Sequence, residues 1–126
     1  MDRKGPGRGF GGMAALGFVA LLAGGCGASA PSAERIAAGR ELYLTTCAVC
    51  HGPDAKGVVL LGKDLHANEF VKSLSDAELV AFLVDGRPVT HPLNERGIAM
   101  PPRGGNPSLS DDELGSIADY LRSIQP

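Results

Sequence analysis

The residues best suited to chemistry are two cysteines and a histidine in the run Cys47-Ala48-Val49-Cys50-His51. On a helical turn, residues three apart point to the same side, so both thiols can reach the two vinyl groups along one edge of a porphyrin. The next residue, His51, then lies under the ring, where its imidazole can bind iron. This spacing is typical of c-type haem attachment. We therefore predict one haem bound covalently through Cys47 and Cys50, with His51 as an iron ligand.

Two other kinds of site use a pair of cysteines with this spacing. A thioredoxin-type redox site lies near a βαβ pattern, and no such pattern surrounds these cysteines. A zinc site needs four protein ligands, or three and a water molecule, and the chain has no second cysteine pair. Both alternatives fit the sequence less well than haem attachment does.

A second iron ligand must come from another part of the chain. Two of the three methionines fall in the N-terminal segment discussed below, which leaves Met100, directly before Pro101. A residue before proline favours extended backbone, so residues 97–102, here called the Met100 strap, are expected to be stiff rather than helical. Met100 could instead fill the core, and His66 and His91 are alternative ligands.

Three helices are predicted to position these residues. The first starts near Ser32 and runs into the haem motif, and Gly39 and Tyr43 share its buried face. Glycine in a helix interior costs about 1 kcal/mol relative to alanine, so another helix should approach closely at Gly39. The other two helices each start with a capping box and a hydrophobic staple. The boxes run from Ser75 to Glu78 and from Ser110 to Glu113, with staples Leu74–Leu79 and Leu109–Leu114. Residues 52–68 and the proline-rich residues 87–108 are expected to hold no helix.

The first 25 residues do not fit this helical domain. Arg3, Lys4 and Arg8 precede an uncharged stretch from Phe10 to Gly25, which is the arrangement of a secretory signal peptide. The apolar stretch is shorter than the ~20 residues that a membrane-spanning helix needs, so a retained membrane anchor is the weaker alternative. We predict an exported protein whose residues 1–25 are removed.

Cys26 follows Leu22-Ala23-Gly24-Gly25, which resembles the lipobox of bacterial lipoproteins, with the leucine one place further from the cysteine than usual. Ordinary cleavage after Ala30 is an alternative, although it would leave a disfavoured proline at the N-terminus. We predict lipid attachment at Cys26, a tether over residues 26–34 and a folded domain over residues 35–126. The domain would then lie in the periplasm or at the extracytoplasmic face of a membrane.

The charge and the aromatic content limit the function further. The chain has 12 Lys and Arg and 14 Asp and Glu, of which three and one precede residue 26, so nine and thirteen remain, with a formal charge of −4. This balance does not suggest a surface that binds nucleic acid. A domain of about 100 residues has a modest core, and this chain has no Trp. A large apolar cofactor would supply the missing buried surface.

Residues 35–125 resemble the class I cytochrome c family. The matching features occur in the family's order: a first helix with Gly39 and Tyr43, the haem motif, a loop, a methionine before proline, and a last helix with Tyr120. The resemblance implies an all-α fold of three or more helices around one haem c, with the first and last helices crossing near Gly39. It also implies that Met100 is the second axial ligand.

The loop after the haem motif departs from the family in one place. Many members have Gly-Pro-x-Leu there, and the proline carbonyl accepts a hydrogen bond from the haem histidine, whereas this chain has Gly62-Lys63-Asp64-Leu65. Any residue supplies a backbone carbonyl, so Lys63 can take the same role, without the fixed φ of proline. Four residues of the Met100 region are candidates for contact with a haem propionate: Arg87, Asn94, Arg96 and Arg103.

The resemblance implies an electron carrier that exchanges single electrons with redox protein partners, free or within a respiratory chain. An iron with two axial ligands has no open position for a small-molecule substrate, so we expect no enzyme activity of its own. A haem peroxidase or oxidase would need such a position. A gas sensor would exchange Met100 for its ligand, and these two classes remain the alternatives.

Overall fold

The computed structural model describes residues 29–126, which form a helical domain. The predicted signal peptide and Cys26 lie outside these residues. In chain order the helices are α1 (Ala33–Thr46), α2 (Ala48–His51), α3 (Glu69–Ser73), α4 (Asp76–Asp85) and α5 (Asp111–Ser123), and a 3₁₀ turn spans Pro102–Gly105. Residues 29–126 contain no β-strand, only two isolated bridges, Val58 with Gly62 and Arg87 with Met100. The all-α prediction is confirmed.

The helix starts lie where the capping residues predicted them. The Ser32 hydroxyl accepts a hydrogen bond from the Arg35 amide at the start of α1. Both predicted capping boxes are formed, at Ser75 for α4 and at Ser110 for α5. These contacts satisfy amide groups that the first turn of a helix leaves without a partner.

Two short elements were not predicted from the sequence. The five-residue helix α3 starts where the Asn68 side chain accepts a hydrogen bond from the Val71 amide, and it is too short for its apolar spacing to stand out. Within residues 87–108, which were expected to hold no helix, the chain forms only a single 3₁₀ turn at Pro102–Gly105, and its Arg103 and Gly104 have positive φ values of 52° and 64°. Proline is well suited to the first position of a helical turn, and here the turn ends after four residues.

The crossing of α1 and α5 organises the core. A β-carbon built at Gly39 would overlap the backbone carbonyl of Ser116, so only glycine permits this approach. Beside the crossing, the rings of Tyr43 and Tyr120 pack with their centroids 5.3 Å apart, and Ile117 is fully buried. The predicted contact between the first and last helices is confirmed.

Polar contacts fasten the same helices at their edges. Arg35 of α1 donates to Asp119 at 2.6 Å and to Asp112 at 2.9 Å, both on α5. Near the other end of α5, Arg122 donates to Asp76 of α4 and to the carbonyls of Val71 and Leu74. Among residues 29–126, no helix is long and apolar enough to cross a bilayer.

Candidate cofactor site

One cavity brings together the residues that the sequence analysis assigned to chemistry. Cys47, Cys50, His51 and Met100 all line it. Its empty volume, including the part that opens to solvent, is about 1220 Å³. Much of the remaining wall is apolar and includes Leu65, Phe70, Val71, Leu79, Phe82 and Leu121. A large, flat and mostly apolar molecule with a metal at its centre suits this lining.

The two cysteines enter the cavity from the turn that follows α1. The amides of Cys50 and His51 both donate to the Cys47 carbonyl, at 3.1 and 3.0 Å, so the motif is one tight helical turn. Both thiols are free of disulfide bonds. Burial, with a smaller contribution from Cys50, raises the pKa of the Cys47 thiol to about 11. A thioredoxin-type site needs a lowered thiol pKa, so the environment of Cys47 does not suit that chemistry.

The His51 ring is held by the loop that follows it. Its Nδ1 lies 2.8 Å from the Lys63 carbonyl oxygen, so Nδ1–H donates and Nε2 keeps its lone pair for a metal. Burial lowers the pKa of His51, although the bond to Lys63 acts in the opposite direction. The neutral imidazole that binds iron is therefore the favoured form. The contact that the family resemblance implied for Lys63 is present.

The loop can approach His51 so closely because of Gly62. A β-carbon built there would overlap the Cys50 carbonyl. The sequence analysis placed Gly62 in the loop but did not recognise this contact. Its position directly before Lys63, in the place of the family's Gly-Pro pair, is the signal that could have identified it.

The Met100 strap is fastened to the end of α4 by backbone hydrogen bonds. The Arg87 amide donates to the Met100 carbonyl at 2.7 Å, and the Met100 amide donates to the Arg87 carbonyl at 2.9 Å. Gly86 ends α4 with φ +69°, and a β-carbon there would overlap the Met100 carbonyl, so the turn requires glycine. Pro101 is extended, at φ −70° and ψ 152°, as the proline-rich sequence predicts.

The other two histidines do not reach this cavity. Neither His66 nor His91 is among the residues that line it, and the exposed His91 ring accepts a hydrogen bond from the Leu93 amide. The structure therefore brings Met100, and not a second histidine, into the same cavity as His51. Nor do three His, Cys, Asp or Glu side chains within residues 29–126 come together to hold a metal ion, so the cysteine pair lacks the further ligands that zinc needs.

Two donor atoms of the cavity wall have no partner in the protein. Within the described part of the chain, Nε and Nη2 of Arg87 are the buried side-chain nitrogen atoms that make no hydrogen bond. A buried donor without an acceptor costs about 1–3 kcal/mol, so these atoms fit a cavity whose occupant carries acceptor oxygens. Haem c has two propionate carboxylates, an apolar ring and a central iron, and the residues of the cavity fit each of these parts.

Comparisons with known proteins agree with this geometry. The family model described as cytochrome c oxidase, cbb3-type, subunit III matches residues 34–121. Cytochrome c-555 of Chlorobaculum thiosulfatiphilum is 31% identical over 86 residues, which are 68% of this chain and 91% of that protein. The cytochrome c subunit of a quinone-type alcohol dehydrogenase of Gluconobacter oxydans is 32% identical over 85 residues.

The extent of these matches differs. The chain covers 91% of cytochrome c-555 but only 18% of the dehydrogenase subunit. Among solved structures, cytochrome cL of Methylophaga aminisulfidivorans has a TM-score of 0.54 and 27% sequence identity, and the match covers 75% of this chain and 55% of that one. The shared part is therefore the small helical domain around the cavity.

Proposed function

Because this chain belongs to the cytochrome c family and binds covalently attached haem c, we propose that it carries single electrons between redox proteins outside the cytoplasm. One observation carries the proposal: His51 and Met100 line the same cavity, so two protein ligands are available to one iron. Haem supplies a one-electron change in the oxidation state of its iron. If His51 and Met100 both bind the iron, electron exchange would be the chemistry that remains.

We propose specific roles for the residues of the site. Cys47 and Cys50 would form thioether bonds to the haem vinyl groups, while His51 and Met100 would bind the iron from its two sides. The hydrogen bond between His51 and the Lys63 carbonyl supports this, because it fixes the ring and the tautomer that can bind metal. A methionine ligand would raise the reduction potential relative to a second histidine.

We propose that redox partners dock over the exposed edge of the haem motif. Val49, between the two cysteines, is 72% exposed, so little protein covers this edge. The next loop presents Val59 and Leu60, which are 88% and 81% exposed. Exposed apolar side chains grouped beside a cofactor are typical of an interaction surface. The carrier could act alone or within a larger redox assembly, as the dehydrogenase subunit named above does in its own complex.

The proposed location rests on the sequence before the described residues. Residues 1–25 are proposed to be a signal peptide and Cys26 the lipid-bearing N-terminus. The predicted tether over residues 26–34 is shortened to residues 26–32, because α1 of the cytochrome domain begins at Ala33. A lipid on Cys26 would keep the domain near membrane-bound redox partners while leaving it outside the cytoplasm. In that compartment both haem attachment and electron exchange can occur.

Carbon monoxide separates an electron carrier from a sensor or an oxygen-activating enzyme. The reduced wild type should bind carbon monoxide slowly or not at all, because Met100 would already occupy the position on the iron that the gas needs. The Met100→Ala variant is the positive control and should bind it rapidly. Stopped-flow mixing should also show fast electron exchange with membranes that contain terminal oxidases. Rapid carbon monoxide binding to the wild type, with slow exchange in every membrane tested, would contradict the carrier function and support a gas sensor.

A further inference from the structure

Lys63 contacts both the proposed histidine ligand and the loop that leads to the proposed methionine ligand. Its backbone carbonyl oxygen lies 2.8 Å from Nδ1 of His51, while its side-chain Nζ lies 2.7 Å from Oε2 of Glu95. Glu95 belongs to the loop of residues 87–100, which ends at Met100. A proline in place of this lysine, as in the family's Gly-Pro pair, would supply the same carbonyl but no charged side chain. The lysine therefore gives this chain a contact that a proline could not make.

The loop of residues 87–100 is held together by the side chain of Asn94. Its amide group donates to the carbonyls of Pro88 and Ile98, at 3.1 and 2.8 Å. Ile98 is followed two residues later by the methionine of the strap. Because Asn94 directly precedes Glu95, a displacement of Glu95 would disturb the hydrogen bonds that hold the segment before the methionine.

The ion pair joins this loop to the loop that follows the haem motif. Within the described part of the chain, the contact between Lys63 and Glu95 is the only hydrogen bond or ion pair between residues 52–68 and residues 87–100. Both side chains belong to residues that line the cavity. The pair therefore connects the segment that orients the histidine with the segment that carries the methionine.

We propose that the ion pair between Lys63 and Glu95 holds Met100 in position to bind the iron. The two side chains are positioning groups, because neither of them binds the metal. They are 39% and 74% exposed, and a pair between such exposed groups changes an equilibrium or a rate by about 1.4- to 5-fold. The proposal rests on the proposed axial ligands His51 and Met100, and not on the electron-carrier function.

Displacement of Met100 by imidazole measures this role in the oxidised, haem-loaded protein. At saturating imidazole the rate constant of displacement reports how fast Met100 leaves the iron, and Glu95→Gln should raise it by about 1.4- to 5-fold. Glu69→Gln is the matched control, because Glu69 forms an exposed pair with Lys72 within α3, at 3.2 Å. This control should leave the rate constant unchanged. Equal rate constants in the two variants would overturn the proposal.

A double-mutant cycle separates the ion pair from other effects of its two side chains. Lys63→Met keeps the backbone carbonyl and an apolar stem but cannot pair with Glu95. The double variant Lys63→Met/Glu95→Gln should therefore lose Met100 no faster than Glu95→Gln alone. Added salt should raise the displacement rate constant of the wild type more than that of Glu95→Gln, because it screens the pair. Additive effects of the two substitutions would contradict the pairing.

Hydrogen exchange tests the ion pair without depending on the axial ligand. The Met100 amide donates to the Arg87 carbonyl at 2.9 Å, and its exchange with deuterated water should be faster in Glu95→Gln than in the wild type or in Glu69→Gln. The sulfur-to-iron charge-transfer band of the oxidised wild type reports methionine binding separately. Absence of this band would contradict the proposed ligand, whereas its presence with unchanged exchange in Glu95→Gln would reject only the role of the ion pair.

Discussion

His51 and Met100 reach the same cavity by different local means. His51 lies one residue after Cys50, so the helical turn of the motif delivers it with the cysteines. Met100 lies about fifty residues later and is held by backbone hydrogen bonds to Arg87. The first placement depends on neighbours along the chain, whereas the second depends on where α4 ends. A single substitution at Met100 should therefore change the proposed iron ligand without disturbing the haem motif.

Replacement of Met100 by histidine tests the axial ligand directly. The oxidised wild type should show the weak long-wavelength band of sulfur-to-iron charge transfer, and Met100→His should abolish it and lower the midpoint potential. His91→Ala should leave the band unchanged, because His91 does not line the cavity. Visible spectroscopy of the oxidised proteins measures the band. Its persistence in Met100→His would show that another residue binds the iron.

At the scale of elements, the helices are specified by their ends and by the contact between α1 and α5. Serine side chains start α1, α4 and α5, and glycine ends α4. The close crossing at Gly39 then decides how α1 and α5 pack. Local rules thus place the helices along the chain, and one residue without a side chain sets the distance between two of them.

Gly39→Ala should destabilise the fold. The added methyl group would overlap the Ser116 carbonyl, and overpacking of this kind costs about 1–3 kcal/mol. Gly115→Ala, in the facing helix α5, is the matched control, because its methyl group would meet only the flexible tip of Arg35. Denaturant unfolding of the haem-loaded proteins measures both. Equal stability of the two variants would contradict the close contact at Gly39.

Glu113→Gln should make the free energy of unfolding less dependent on pH in the acidic range. Hydrogen bonds from the Ser110 backbone, and then from its hydroxyl, lower the pKa of Glu113 below its ordinary value of 4.5. A carboxylate whose pKa is lower in the folded state stabilises the fold above its unfolded pKa, and this stabilisation is lost as the pH falls through the folded pKa. The wild type should therefore exceed Glu113→Gln in stability at pH 7, and the difference should shrink below about pH 4.5. Unfolding curves across this pH range measure it, and a constant difference would contradict the capping role of the charge.

At the scale of the whole molecule, we expect the surface around the haem motif and the N-terminal segment to determine which redox partners the domain meets. The chain after residue 25 carries a formal charge of −4, while the haem motif and the loop after it present exposed valine and leucine. A cytochrome with a net negative charge is not expected to dock an acidic partner through a ring of lysine side chains. Docking that depends mainly on apolar contact should respond weakly to salt.

Leu60→Asn should slow electron exchange with a partner without changing the haem spectrum. Leu60 has φ +62°, a conformation that asparagine tolerates better than leucine, so the substitution should not unfold the loop. Leu60 would be buried only in the complex with a partner, and loss of that contact should reduce the second-order rate constant of electron exchange on the order of tenfold. Ala38→Asn, on the exposed side of α1, is the control. Stopped-flow rates at several salt concentrations measure the effect, and equal rates would place the docking surface elsewhere.

Cys26→Ser should release the domain from the membrane. Without the thiol no lipid can be attached, and the uncleaved or reprocessed chain should be found in the soluble fraction or with a changed mass. Membrane fractionation and mass spectrometry of the purified protein measure this. If cleavage after Ala30 is the natural processing step, the mature protein will begin at Pro31 and Cys26→Ser will leave its mass unchanged.

The amino-acid sequence by itself determined the haem motif, the three helices with their capped starts and the glycine at the helix crossing. Each of these depends on residues three or four apart, or on one small residue in a helix, and chain geometry alone fixes what such patterns do. The family resemblance named Met100 and the Lys63 carbonyl, but the residues alone left Met100 open beside His66 and His91.

Only the tertiary structure decided which distant residues meet. It brings Met100 and not His91 to the cavity, places the Lys63 carbonyl on His51, and leaves two buried donors of Arg87 without a partner among the described residues. These outcomes depend on where α4 ends and how loops without regular periodicity close over the cavity. No local pattern encodes them, because they follow from packing between segments that lie tens of residues apart.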